Sequence, residues 1–157
     1  MCKSIRLTTY NTPRRYRKYV PNKDIRNSLY LAFSKSFSSD VQTGKHCAVL
    51  LDENNTIVKT FVNCHKKDGF GTVHAEEGLI KHIIIDYPDF DFSKCKIVIV
   101  RGNKIGRFSN SAPCDKCLKL MLSVNVGQII FTSRDNVVRI ISRWLCLYIL
   151  YTLTKCR

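Results

Sequence analysis

The chain has 157 residues, with 26 lysines and arginines against 12 acids and a formal net charge of +14. That length suits one domain with a real core, and Met1-Cys2-Lys3-Ser4-Ile5-Arg6 lacks the apolar run of a secretory signal. The eight cysteines are therefore not read as an extracellular disulfide framework, and a reducing, intracellular setting (cytoplasmic or nuclear) is expected.

Residues 1–24 carry seven cations against one acid, Asp24, with Tyr10, Tyr16 and Tyr19 interleaved. Such an arm is expected to be partly disordered, serving as a grip on nucleic acid or as an ordinary basic tail. One folded domain is expected over 25–157. Ile25, Leu29, Ala32, Phe33 and Phe37 recur at helical spacing, with Asn22 or Asp24 as the cap. Residues 47–51 and 56–62 read as a hairpin turning at Asn54-Asn55. A helix over 73–85 follows, with Leu79, Ile80, Ile83 and Ile84 turned inward, ended by Tyr87-Pro88-Asp89. Then come a buried strand over 96–100, a helix over 113–123 and a strand over 128–132. Cys47 and Cys95 open apolar runs and read as small buried hydrophobes.

Past residue 132 two readings stand. Residues 137–141 return as a fifth strand, antiparallel because so short a link cannot make a parallel crossover, or 137–153 forms one helix. The uninterrupted apolar stretch 144–153 is shorter than the roughly twenty residues of a membrane span. A core helix or a homo-oligomer interface is expected there in preference to membrane contact.

Two short strings carry chemistry: Val73-His74-Ala75-Glu76 and Ser111-Ala112-Pro113-Cys114-Asp115-Lys116-Cys117. Catalytic zinc takes three nitrogen or sulfur ligands and keeps a fourth position for water. His74 offers a nitrogen; Cys114 and Cys117, three apart at a helix start, offer two thiolates on one face. Pro113 suits the first helical position, and the helix's positive end favours both thiolates. Water at the fourth position becomes a nucleophile near neutral pH, and Glu76 stands where a proton shuttle is needed. Cys64-His65 could instead complete a closed structural site with the cysteine pair, and Glu76 could serve the helix dipole alone. A closed site, however, has no need of His-x-Glu at a helix start.

These strings, together with Ile97-Val98-Ile99-Val100-Arg101 leading to Asn110-Ser111-Ala112-Pro113-Cys114, resemble the cytidine deaminase-like superfamily in its CMP/dCMP-type branch, over about 46–132. The resemblance implies a three-layer α/β/α fold with a mixed sheet of about five strands and a zinc site at the N-termini of two helices. It implies His74, Cys114 and Cys117 as zinc ligands and Glu76 as general acid and base. The implied reaction is hydrolytic deamination of a cytosine nucleoside or nucleotide (cytidine, deoxycytidine, CMP or dCMP) to the uracil product and ammonia. Asn63 and Ala75 are carried over as substrate contacts, with a strand-ending turn role as the other reading of Asn63. An antiparallel fifth strand goes with deaminases of free nucleosides, a parallel one with those of nucleotides and polynucleotides.

Lys66 and Lys67 precede the first metal helix, and Arg101, Lys104 and Arg107 precede the second. Phosphate attraction is expected from these loops, with Phe70 and Phe108 as base-stacking candidates, against a solvated surface and packing beneath the loops. Two alternatives to a free substrate stay open. One is a deaminase of cytidine or adenosine in tRNA, mRNA or single-stranded DNA, gripping through the basic arm. The other is a catalytically silent zinc-binding module that contacts nucleic acid.

Overall fold

The computed structural model describes residues 17–133 and 137–142. Asn22 begins the first helix: its side chain accepts a 2.9 Å hydrogen bond from the Ile25 N–H and caps α1 (Lys23–Ser36). Ile25, Leu29 and Ala32 are buried, while Phe37 stands at the C-cap, 43 % exposed, with its ring edge-on to Phe33. Ahead of the helix, β1 (Arg17–Lys18) pairs with a strand near the far end of the described chain; residues 1–16 of the basic arm lie outside the described residues.

The expected hairpin forms from β2 (His46–Leu51) and β3 (Ile57–Val62). Asp52 makes its turn, its carboxylate accepting from the N–H groups of Asn54 and Thr56 at 2.8 Å each, while Asn55 takes a left-handed φ of 65°. A two-residue ribbon, β4 (Cys64–His65) with β5 (Thr72–Val73), leads into α2 (Ala75–Asp86), which Tyr87 closes. After a 3-10 turn (Phe92–Lys94) come β6 (Lys96–Gly102), β7 (Phe108–Ser109), α3 (Asp115–Ser123), β8 (Gln128–Thr132) and β9 (Val138–Ser142).

The main sheet runs β1-β9-β8-β6-β2-β3, with β7 also on β6. Five of its strands are long, and it is mixed: β6 and β8 are parallel and every other pair is antiparallel. Period-two alternation sorts the core into two faces. Cys47, Val49 and Leu51 join Val98, Val100 and Ile130 beneath α1. Ala48 and Leu50 join Ile97, Ile99, Ile129 and Phe131 beneath α2 and α3. Helices on both faces explain why these strands read as nearly unbroken apolar runs. The result is the three-layer α/β/α arrangement, with Cys47 and Cys95 buried in it as expected.

Three expectations change. Ile84 is 39 % exposed, because the stripe facing the sheet is Leu79, Ile80 and Ile83 and the next residue rotates onto the flank. Pro113 lies ahead of the N-cap of α3 and not at its first helical position. The continuous helix over 137–153 does not form, since residues 138–142 are a strand antiparallel to β8, and Ser133 N–H donates to Val137 C=O where the pair begins. The apolar stretch 144–153 lies outside the described residues. Among the described residues no helix is long and apolar enough to cross a membrane.

Candidate active site

His74 and Cys114 occupy the N-cap positions of α2 and α3, and neither side chain caps its own helix. Both are thereby free to bind something else. Cys117, one turn into α3, turns to the same side. His74 Nδ1 lies 3.5 Å from Cys114 Sγ and 3.3 Å from Cys117 Sγ. A tetrahedral zinc ion with bonds of about 2.1 Å to nitrogen and 2.3 Å to sulfur requires an N···S edge of about 3.6 Å, so the donor set fits. Two helix N-termini converge here, and their positive ends suit thiolates. Burial pushes the Cys117 thiol up, so a thiolate at that depth needs a cation beside it.

Among the described residues these three form the one group of metal-binding side chains in ligand range. Cys64 and His65 stand outside it, which removes the closed four-ligand site. His74 and Cys114 are exposed and Cys117 is buried, so the cluster sits at the wall of a cavity with one side open.

That cavity, of about 320 Å³, is also lined by Asn63, Ala75, Glu76, His46 and Arg101. Glu76 is 5 % exposed, and burial raises its carboxyl above the usual range. Its neighbour Glu77 faces the other way, bonded by Lys81 at 2.6 Å and Lys116 at 3.1 Å, which hold it ionised below the usual range. That ion pairing ties α2 to α3 beside the site.

Asn63 is 7 % exposed and is engaged by the main chain. Its Oδ1 accepts from His46 N–H at 2.7 Å, and its Nδ2 donates to Gly44 C=O at 2.9 Å. It clasps the segment leading into β2, and one N–H and one lone pair remain to it. Phe70 is 83 % exposed at the tip of the β4–β5 ribbon and does not line the cavity. Phe108 packs on the opposite layer, its ring 4.9 Å from Phe33 and 6.0 Å from Tyr30, so its packing role prevails over base stacking. Of the basic loop residues, Arg101 alone lines the cavity.

The strand β6 runs two residues beyond the expected end at Val100, and that extension carries Arg101 into the site. Sequence reasoning missed His46, Thr43, Gly44 and Thr72 as lining residues. For His46 a signal existed: it shares the strand face of Ala48 and Leu50, which lies beneath α2 and α3. The serine before Ala112-Pro113-Cys114 also has a physical role. Ser111 Oγ donates to Ile99 C=O at 2.7 Å and accepts from Thr132 N–H at 2.9 Å, pinning the metal loop between β6 and β8.

The family model described as the cytidine and deoxycytidylate deaminase zinc-binding region matches residues 26–133. Among solved structures, the cytidine deaminase of Burkholderia pseudomallei is similar at a TM-score of 0.59 and 14 % identity, over 77 % of this chain and 94 % of that one. The dCMP deaminase of cyanophage S-TIM5 is similar in its apo form at a TM-score of 0.54 and 15 % identity, over 73 % of this chain and 86 % of that one. The same phage enzyme in complex with dCMP and dUMP gives 0.53 at 15 % identity, over 74 % and 85 %. No curated protein matches in sequence. At such identities the likeness is one of fold.

Proposed function

The chain belongs to the cytidine and deoxycytidylate deaminase family that carries this zinc-binding region, and on that premise we propose that it hydrolytically deaminates a cytosine-containing nucleoside or nucleotide. The observation that carries this reading is one cavity lined by His74 and Cys114 of the metal-binding cluster and by a buried carboxyl, Glu76, two residues from one ligand. Two sulfurs and one nitrogen with an open side suit catalytic zinc. His74, Cys114 and Cys117 would hold zinc, which when bound would supply the Lewis acidity that makes water nucleophilic near neutral pH.

Glu76 then does the proton work. It takes a proton from the attacking water and delivers it to ring nitrogen N3, and a second transfer goes to the exocyclic amine. The C4–N bond breaks, ammonia leaves and the C4 carbonyl of uracil remains. Burial of Glu76 keeps bulk water away from these transfers. Ala75 and Asn63 line the same cavity and are the proposed substrate contacts, Asn63 through its remaining donor and acceptor. Phe70, exposed at the ribbon tip outside the cavity, is a further proposed contact. The antiparallel β9, the form tied by resemblance to free nucleosides, favours a free substrate over a polynucleotide.

The test is ammonia release from cytidine, deoxycytidine, CMP, dCMP, adenosine, guanine and a single-stranded oligonucleotide, using zinc-loaded protein. Release from a free cytosine compound is expected, with Glu76→Gln lowering kcat by a factor on the order of 10²–10⁴. Release from the oligonucleotide alone moves the reading to polynucleotide editing. No release from any compound, or full activity in Glu76→Gln with zinc retained, removes the enzymatic reading.

A further inference from the structure

Arg101 is the one cation in the cavity wall whose neighbours do not account for it. It stands opposite His46 in the β2–β6 register, and His46 is in turn bonded to Asn63, so the three form a polar row across the ends of adjacent strands. Alternation along β6 sets Arg101 on the face of Ile97 and Ile99, the face that carries the metal helices. Its guanidinium lies over Gly44, where an added Cβ would stand 3.7 Å from Nη2. The backbone there has a φ of 73°, which glycine adopts without strain.

No carboxylate pairs with Arg101 among the described residues, and its side chain makes no hydrogen bond there. A half-buried guanidinium without a partner costs free energy, and its planar fork matches the oxygens of a phosphate. Arg101 also lines a second cavity, of about 410 Å³, which shares Thr43 and Gly44 with the first and is bounded by Phe37, Lys45 and Lys104. At about 320 Å³ the metal cavity is small for a ligand site, near the lower end of a range of roughly 300–1,000 Å³. The two cavities meet at Thr43, Gly44 and Arg101, which leaves room beyond the metal cavity for a group larger than a nucleoside.

We propose that Arg101 is the phosphate-recognising residue of this site, so that the substrate is a nucleoside carrying a phosphate ester on its sugar. The inference rests on the deaminase reading and narrows its substrate, setting the unpaired Arg101 above the strand-order resemblance, by which the antiparallel β9 goes with free nucleosides. The surroundings agree: Lys104 is a second cation without an acidic partner among the described residues, and the Lys45 ammonium is bonded to the carbonyls of Phe37 and Ser39. The phosphate has two sources, a free mononucleotide or a polynucleotide strand.

Calorimetric binding of uridine, UMP and a uracil-centred trinucleotide to zinc-loaded protein separates them, since products are not consumed during measurement. Wild type is expected to bind UMP roughly 10- to 100-fold more tightly than uridine. Arg101→Gln should lose most of that ratio, and Arg101→Lys, which keeps the charge without the fork, should regain only part of it. A trinucleotide bound more tightly than UMP assigns the phosphate to a strand, and equal affinity assigns it to a free nucleotide. A UMP-to-uridine ratio unchanged by both variants overturns the role of Arg101, as does failure of UMP to bind. Glu76-dependent ammonia release in either case leaves the deaminase reading standing.

Discussion

His46 faces the metal cavity as a neutral imidazole. Burial is the main cause, with the Arg101 and His74 charges adding to it against a hydrogen bond to Gly44 C=O, and together they bring its pKa from 6.5 down to about 4. A carbonyl only accepts, so Nδ1 carries the proton and Nε2 is left as an acceptor. The unfolded chain takes up this proton near pH 6.5 and the folded chain only near 4. His46 therefore contributes stability in full above about pH 6.5, and that contribution is lost as the pH falls toward 4, about 3 kcal/mol in all. Between pH 7.5 and 5.0, denaturant unfolding should show wild type losing about 2 kcal/mol more than His46→Gln. Equal losses would remove His46 as the source. At this scale the ligands were legible because zinc chemistry demands particular side chains within one helical turn. His46 was not read, although alternation puts it on the face of Ala48 and Leu50, because only the packed sheet shows that this face carries the metal helices.

Between elements, α2 packs closely on β3. Gly78 meets the ring of Phe61, and an added Cβ would stand 2.1 Å from Phe61 Cε1. Alanine within a helix ordinarily gains about 1 kcal/mol over glycine. Here overpacking, typically about 1–3 kcal/mol, opposes that gain. Phe61 is held there by a tilted contact with His82, at 5.0 Å between ring centroids, which a shift of the ring would disturb. Gly78→Ala should therefore destabilise by about 1–2 kcal/mol, and adding Phe61→Leu should restore most of the loss. Thermal melts of the three proteins check this, and an unshifted or raised Tm in Gly78→Ala would show that the ring moves freely. Helix and strand identities were readable from periodicity, which is local. Ile84 was misread because an apolar residue at the edge of a stripe looks the same as one at its centre until the partner surface is known.

For the molecule as a whole, the metal-binding cluster is a clasp between α2 and α3, drawn from positions 43 residues apart at its widest. Metal bound only to the folded state stabilises it by mass action, about 2.7 kcal/mol at one hundred times the dissociation constant. For a chain of this size each kcal/mol moves Tm by roughly 2–4 °C. Stripping zinc with a chelator should thus lower Tm by roughly 5–10 °C. Cys117→Ser should start near the lower value and respond little to the chelator. A Tm indifferent to the chelator in wild type would separate the cluster from metal binding.

By itself the sequence determined the layered α/β class, the order of the long elements and the three donors with their neighbouring acid. The element order follows from local backbone period, which sets side-chain direction within a few residues; the layered class and the joining of His74 to the distant cysteine pair follow from the family resemblance that the motifs carry. Only the tertiary structure decided which basic and polar residues share the cavity with that centre. His46 and Arg101 come from paired strands and Asn63 from the residue just past β3, and their alignment depends on register across the sheet. Register is set by the whole hydrophobic pattern of paired strands and by the turns between them. That is why Arg101 faces the metal cavity while Phe108, seven residues later, packs beneath α1.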